Sequence, residues 1–216
     1  MVLYQLVETI SADPAIANVR TRILTEATHL FAVQGYDGSS IEEIARAAGI
    51  TRPTLVYHFG SKAELRDQVL ATLLGHWRDE LPRVLSAATT GSDRFRSAFD
   101  AVASFFRSDA ARGRLLIREL LDRPEAMAEL FRVHLQPWTQ LIADYIRRGQ
   151  EEGRIRPSVD PEAYLLQVLN AVIATAALAG GGAGTAHILP NPPDLDRQLA
   201  ELHRMARSSL FNDRPA

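Results

Sequence analysis

The chain has 216 residues, 46% of them hydrophobic and 23% charged, which is enough apolar material for a large core and rules out wholesale disorder. A formal net charge of −2 gives no global attraction to nucleic acid, so any such function must rest on where individual charges stand. The absence of cysteine excludes disulfides, thiolate metal sites and cysteine nucleophiles, and a reducing cytoplasm is the expected setting.

Nearly every segment has helical period, and few alternate as a strand would. Residues 1–14 read as an N-terminal arm; its MVLYQLVETI has neither a basic n-region nor a small-residue cleavage site, so no export signal is expected. Asp13-Pro14 predicts an N-cap with proline at the first helical position. Ile16, Val19, Ile23, Ala27, Leu30 and Phe31 then share one face, and Gly35 offers a left-handed stop. Ser40-Ile41-Glu42-Glu43 is a capping box, Thr51 is an N-cap with Pro53 in the turn it opens, and Ser61-Lys62-Ala63-Glu64 is a second capping box. The helix opened there is expected to run to about Leu81-Pro82.

Gly91-Ser92-Asp93 starts a fresh helix carrying Phe95, Phe99, Phe105 and Phe106, and another covers roughly Arg112 to Leu121. Pro124 begins a long helix broken or kinked at Pro137 and ending at Gly153. Asp160-Pro161-Glu162 caps a strongly apolar helix, a loop rich in glycine and proline runs from Gly180 to Pro193, and Asp194 opens the last helix, with Leu195, Leu199, Leu202, Met205 and Ala206 on one side. The expectation is an all-α chain of about nine helices. It divides into the arm (1–14), a three-helix helix-turn-helix domain (15–65) and a larger helical body (66–212).

One segment is long enough to cross a bilayer, because no Asp, Glu, Lys or Arg lies between Glu162 and Asp194. Gln167, Asn170 and Ala174 fall at i, i+3 and i+7, however, giving a narrow polar stripe, and no basic flank anchors the end. The segment therefore reads as a helix buried on most of its circumference, with no membrane partner.

Ile41 to Gly60 has the spacing of a helix-turn-helix. Ala45 is small where the second helix must pass over the first, and Gly49 sits at the bend, where positive φ is cheap only for glycine. Ile44, Ile50 and Leu55 are apolar where three helices would share a core. With Leu55 and Phe59 facing inward, Thr51, Arg52, Thr54, Tyr57 and His58 are left outside. Arg52 can bond a guanine edge with both arms of its fork, and Thr54 can meet a thymine methyl or a base acceptor. Tyr57 and His58 can reach phosphates, while Ser40 and Lys62 stand at helix N-termini that favour an anion. From Ile44 to Ala63 there are three basic residues, Arg46, Arg52 and Lys62, and no acidic one.

The run SIEEIARAAGITRPTLVYHFGSKAEL, following a helix that ends at Gly35, resembles the N-terminal domain of the TetR family of bacterial transcriptional regulators. Further on, EEGRIRPSVDPE resembles the turn before the penultimate helix of many members. The resemblance implies an all-α homodimer, usually a repressor, whose larger domain binds an inducer and dimerises. It implies DNA contact at Thr51, Arg52, Thr54, Tyr57, His58 and Lys62, with Ser40 at a phosphate. Val56 stands where many members have a tyrosine that touches the backbone, so that contact is either missing or supplied by Tyr57.

Two reading heads about 34 Å apart would read a palindromic operator in double-stranded DNA. Residues 161–179 and 194–211 are the expected dimer contact, packing with their symmetry mates as a four-helix bundle. Phe99, Phe105, Phe106, Met127, Phe131, His134, Trp138, Tyr145 and Tyr164 are candidates to line an apolar pocket for a small effector. Arg118 and Glu119 either serve a polar ligand, pair internally or face solvent. The six histidines have no metal-ligand spacing, so neither a metal nor a cofactor is expected. No nucleophile elbow or phosphate-binding glycine loop points to an enzyme; the alternatives are a helical adaptor whose hairpin no longer touches DNA and, behind it, an enzyme on a helical scaffold.

Overall fold

The computed structural model describes residues 14–87, 91–179 and 190–212. The expected arm and Asp13 cap, and most of the glycine-rich loop, lie outside the described residues. Among those described there are ten helices and one isolated bridge, Ile155 with Phe211, so the chain is all-α. The helices are α1 (Pro14–Gly38), α2 (Ile41–Ala47), α3 (Arg52–Phe59), α4 (Lys62–Ala87), α5 (Gly91–Ser108), α6 (Ala110–Asp122), α7 (Pro124–His134), α8 (Gln136–Glu151), α9 (Pro161–Ala179) and α10 (Leu195–Leu210). The count exceeds nine because the segment beginning at Pro124 is two helices. The break falls at Leu135, and Pro137 stands in the first turn of α8, where its missing N–H costs nothing. In contrast, α4 runs on through Pro82 to Ala87, one lost backbone bond being too little to end it.

The chain forms two compact units, residues 1–72 and 73–216. In the first, regular helix in α1 stops at Gly35 (φ 79°, ψ 170°), a conformation closed to a residue with a Cβ. Ile23, Ala27 and Phe31 of α1 are buried with Ile44 and Ala45 of α2, Leu55 and Phe59 of α3, and Leu65 and Val69 of α4. The Arg20 guanidinium lies 4.6 Å from the Phe59 ring centre, and its Nη2 donates to Gln68 Oε1 at 2.8 Å, so a charged head closes the edge of this small core.

In the second unit, Leu115 and Leu116 of α6, Met127 of α7, Ala143 and Ile146 of α8 and Val172 and Ala176 of α9 are buried. Helix α6 comes so close to α9 that a Cβ at Gly113 would sit 3.1 Å from the Ile173 carbonyl oxygen and 3.2 Å from Ala177 N. The turn after α8 is pinned as well: Gly153 takes φ 73°, Ile155 is fully buried, and Gln150 Nε2 donates to the Arg156 and Val159 carbonyls at 3.0 and 2.7 Å. Arg156 N donates to Leu210 O at 3.0 Å, which ties the turn to the end of α10.

Candidate nucleic-acid interface and cavity

Helix α2 is opened by a complete capping box. Glu43 N donates to Ser40 Oγ at 3.1 Å, and Ser40 N donates to Glu43 Oε2 at 2.9 Å. The bend follows at Gly49 (φ 66°), with Gly49 N donating to Arg46 O and Ile50 N to Ala45 O. Thr51 then caps α3 by accepting from Thr54 N at 3.3 Å, and the two hydroxyls lie 2.9 Å apart. Because α3 buries Leu55 and Phe59, its opposite side is solvent-facing. Thr51 and Arg52 are exposed, Thr54 and His58 are half-buried, and Tyr57 is 76% exposed. The Tyr57 and His58 rings meet edge-on at 5.5 Å.

Five of the seven residues picked from the sequence for this face therefore lie together, Arg52, Thr54, Tyr57 and His58 on α3 and Thr51 at its cap. Lys62, in the first turn of α4, holds its ammonium 4.3 Å from the Tyr36 ring centre. Ser40 stands where the sequence puts it, at the N-cap of α2, and its hydroxyl also donates to Glu43 Oε2 at 2.9 Å, so a carboxylate lies beside the hydroxyl at this helix N-terminus. Val56 is exposed beside Tyr57, so the outward phenol stands one residue later.

The sequence reading missed Glu42. Its Oε1 lies 2.6 Å from Arg52 Nε, with the two side chains 55% and 63% exposed. The only sequence signal was an acid in the first turn of a helix that crosses the one carrying Arg52. The pair engages Nε of the guanidinium.

In the second unit a cavity of about 290 Å³ is lined almost wholly by apolar side chains from α4 to α10. Six of the nine expected residues line it: Phe99, Phe106, Phe131, Trp138, Tyr145 and Tyr164. Phe105, Met127 and His134 do not. Phe105 points instead into a ring cluster with His76 (4.6 Å) and Trp77 (4.8 Å), under the Arg112 guanidinium at 4.4 Å. Met127 is fully buried as filling between helices, and His134 lies at the end of α7 with a buried Nδ1 that has no hydrogen-bond partner among the described residues. The lining also draws on Leu74, Trp77, Phe95, Ile142, Leu169 and Val172, apolar positions that sequence alone cannot tell from ordinary core. Tyr164 donates its hydroxyl to Ala206 O at 2.8 Å; burial, partly offset by Ser209, holds its ionisation well above the usual tyrosine range. Glu119 is buried in α6 and Arg118 is exposed; neither lines the cavity.

Residues 23–69 match the model for bacterial regulatory proteins of the tetR family, and residues 90–190 match that for the tetracyclin repressor-like C-terminal domain. The chain is 30% identical over 140 residues to the HTH-type transcriptional activator FasR of Mycolicibacterium smegmatis; the match takes in 63% of this chain and 64% of that protein, just under two thirds of its length. The fold resembles that of the ketosteroid transcriptional regulator KstR2 of Mycobacterium tuberculosis, with a TM-score of 0.72 at 18% identity over 90% of this chain and 95% of that one. A putative transcriptional regulator from Saccharomonospora viridis, solved in complex with choline, aligns with a TM-score of 0.65 at 20% identity over 91% and 99% of the two chains.

Proposed function

The chain belongs to the TetR family of bacterial regulatory proteins, whose characterised relatives are DNA-binding transcriptional regulators and not enzymes, and from that premise we propose that it is a cytoplasmic, dimeric repressor released from a palindromic operator by a small apolar effector. The observation that carries this reading is the outward row of Thr51, Arg52, Thr54 and Tyr57 on a short helix whose other side is buried. In the proposed complex α3 enters the major groove. Arg52 and Thr54 read base edges, and Tyr57, His58 and Lys62 hold phosphates.

Exposure in the isolated subunit supports the dimer. Helix α9 is long and apolar enough to cross a bilayer, yet a single chain buries only 22% of its most apolar stretch. Leu166 (56% exposed), Leu178 (42%) and, on α10, Met205 (54%) face outward. The sequence expected this helix to be mostly covered, and one subunit does not cover it. A second copy of α9 and α10 packed as a four-helix bundle would do so, and the exposed Gln167 and Asn170 suit a subunit seam better than lipid.

Ligand would act by favouring a dimer whose two heads no longer match successive grooves, which requires different affinities for the two arrangements. Selection from random double-stranded DNA with purified protein tests the reading. A palindrome with half-sites one helical turn apart should emerge, and binding should fall steeply with salt. Arg52→Ala should relax base preference by about 1–3 kcal/mol, while Lys62→Ala should weaken all sequences alike and lower the salt slope by about one. Recovery of no sequence preference at moderate salt would overturn the proposal. A reporter driven from the recovered site separates repression from activation.

A further inference from the structure

Regular helix in α1 ends at Gly35, and the chain just after it is pinned by local bonds. Ser39 Oγ donates to Gly35 O at 2.8 Å, and Ser39 N donates to Tyr36 O at 3.3 Å. Ser39 is buried, so water competes little for these bonds. The Tyr36 ring is half-buried and packs at 5.8 Å against Phe31, which is fully buried in the small core. Backbone and neighbour together fix where this ring stands.

Two cations reach the ring from α4, one turn apart. Lys62 Nζ lies 4.3 Å from its centre and Arg66 Cζ 5.2 Å. They are not equivalent. The Arg66 side chain is only 11% exposed, and its Nε and Nη2 both donate to Asp67 Oδ1, at 3.0 and 2.6 Å. Lys62 has no carboxylate partner among the described residues; its ammonium is held by the ring.

A freely rotating lysine stem loses rotamer entropy when its ammonium settles on a phosphate. A ring that already confines the stem moves that loss into folding, and binding is tighter by the difference. The two contacts are compatible, since an ammonium has three donors and the ring faces one side of it.

We propose that Tyr36 is a positioning residue for DNA binding: its ring face holds the Lys62 ammonium at the first turn of α4, ready for a phosphate. The proposal rests on the reading of α3 and its flank as the DNA interface. It assigns the effect to the face of the ring and not to the hydroxyl.

The test measures binding of the full-length protein to a random-sequence duplex of about 30 base pairs, long enough for two heads, because a phosphate contact is independent of sequence. Tyr36→Leu should weaken binding about 2- to 5-fold per head, the range of an exposed contact between a cation and a ring. Lys62→Gln should weaken it at least as much, and adding Tyr36→Leu to Lys62→Gln should change nothing further. Tyr36→Phe, which keeps the ring, should restore most of the affinity lost in Tyr36→Leu. If Tyr36→Leu folds poorly, phenylalanines of increasing ring fluorination placed at position 36 keep the shape while draining charge from the ring face. Affinity should then fall stepwise with fluorine content, and the steps should vanish in the Lys62→Gln background. Equal losses from Tyr36→Leu with and without Lys62 mark a packing role and overturn the proposal. So does tighter binding by Tyr36→Leu, in which case the ring withholds the ammonium from DNA. A loss in Tyr36→Phe as large as in Tyr36→Leu places the effect on the hydroxyl and overturns it too. In all three cases the DNA-binding reading stands. Failure of the unaltered protein to bind duplex DNA at low salt overturns that reading and this proposal together.

Discussion

Glu42 offers a sharp test of how the reading face works. Its carboxylate holds Arg52 by Nε at 2.6 Å. The contact is made at Nε, so in the proposed complex Glu42 would orient the guanidinium towards a base edge. The pair is mostly exposed, and such pairs contribute about 0.2–1 kcal/mol. The same carboxylate adds negative charge beside the face proposed to meet phosphates, which would oppose binding to every sequence. Glu42→Gln should therefore raise affinity for random DNA and lose orientation at the specific site. The ratio of specific to random affinity should fall by about 1.4- to 5-fold, the equivalent of 0.2–1 kcal/mol. Fluorescence anisotropy on the selected operator and on random duplex, at one stated salt concentration, measures both terms. A double-mutant cycle isolates the mechanism: in an Arg52→Ala background, Glu42→Gln should still raise random binding but no longer change the ratio. The reasoning fails if the ratio is unchanged in the original background, or falls as much when Arg52 is absent.

Further expectations concern packing and assembly. Gly113→Ala places a Cβ 3.1 Å from one α9 backbone atom and 3.2 Å from another, so urea unfolding should show a loss of about 1–3 kcal/mol, less the gain of nearly 1 for alanine over glycine in a helix. Gly75→Ala, in α4 with nothing within 4 Å of its new Cβ, should instead gain about 0.5–1 kcal/mol in the same assay. Gly49→Ala meets no atom within 4 Å but must hold φ 66°, so it should cost about 1–2 kcal/mol by backbone strain alone, read in the same titration. Leu166→Glu puts a charge on an exposed apolar position of α9, so sedimentation should show loss of the dimer with helical content unchanged, and operator binding should weaken in step.

The parts legible from the sequence were those where one local rule fixes one residue. The Ser40 box, the Gly49 bend and the Thr51 cap each satisfy backbone groups within a few residues, so their spacing announces the hairpin and the helix it presents. Glu42 and Arg52 escaped because their meeting depends on the crossing of two helices, which no window of sequence contains. The cavity shows the same limit from the apolar side. Phe105 and Phe106 are neighbours on α5, about 100° apart around the helix, and either could have faced the space. The difference is made on α4, where His76 stacks on Phe105, while Trp77 packs against both rings and lines the cavity with Phe106.

In α9 apolarity extends around most of the circumference, so periodicity gives no phase at all. The structure supplies it: Val168, Leu169, Val172 and Ile173 turn to the cavity, and Leu166 and Leu178 turn outward. One helix thus carries both the wall of the proposed effector site and the proposed subunit seam. A ligand that shifted α9 by a fraction of an ångström would be felt at both, because a close-packed helix cannot yield on one side alone. The Gly113 contact fixes where such a shift must pivot, since α6 backbone touches α9 backbone there with no side chain between them to give way. Widening that contact with alanine should therefore weaken the link between effector and operator more than it weakens either binding event measured separately.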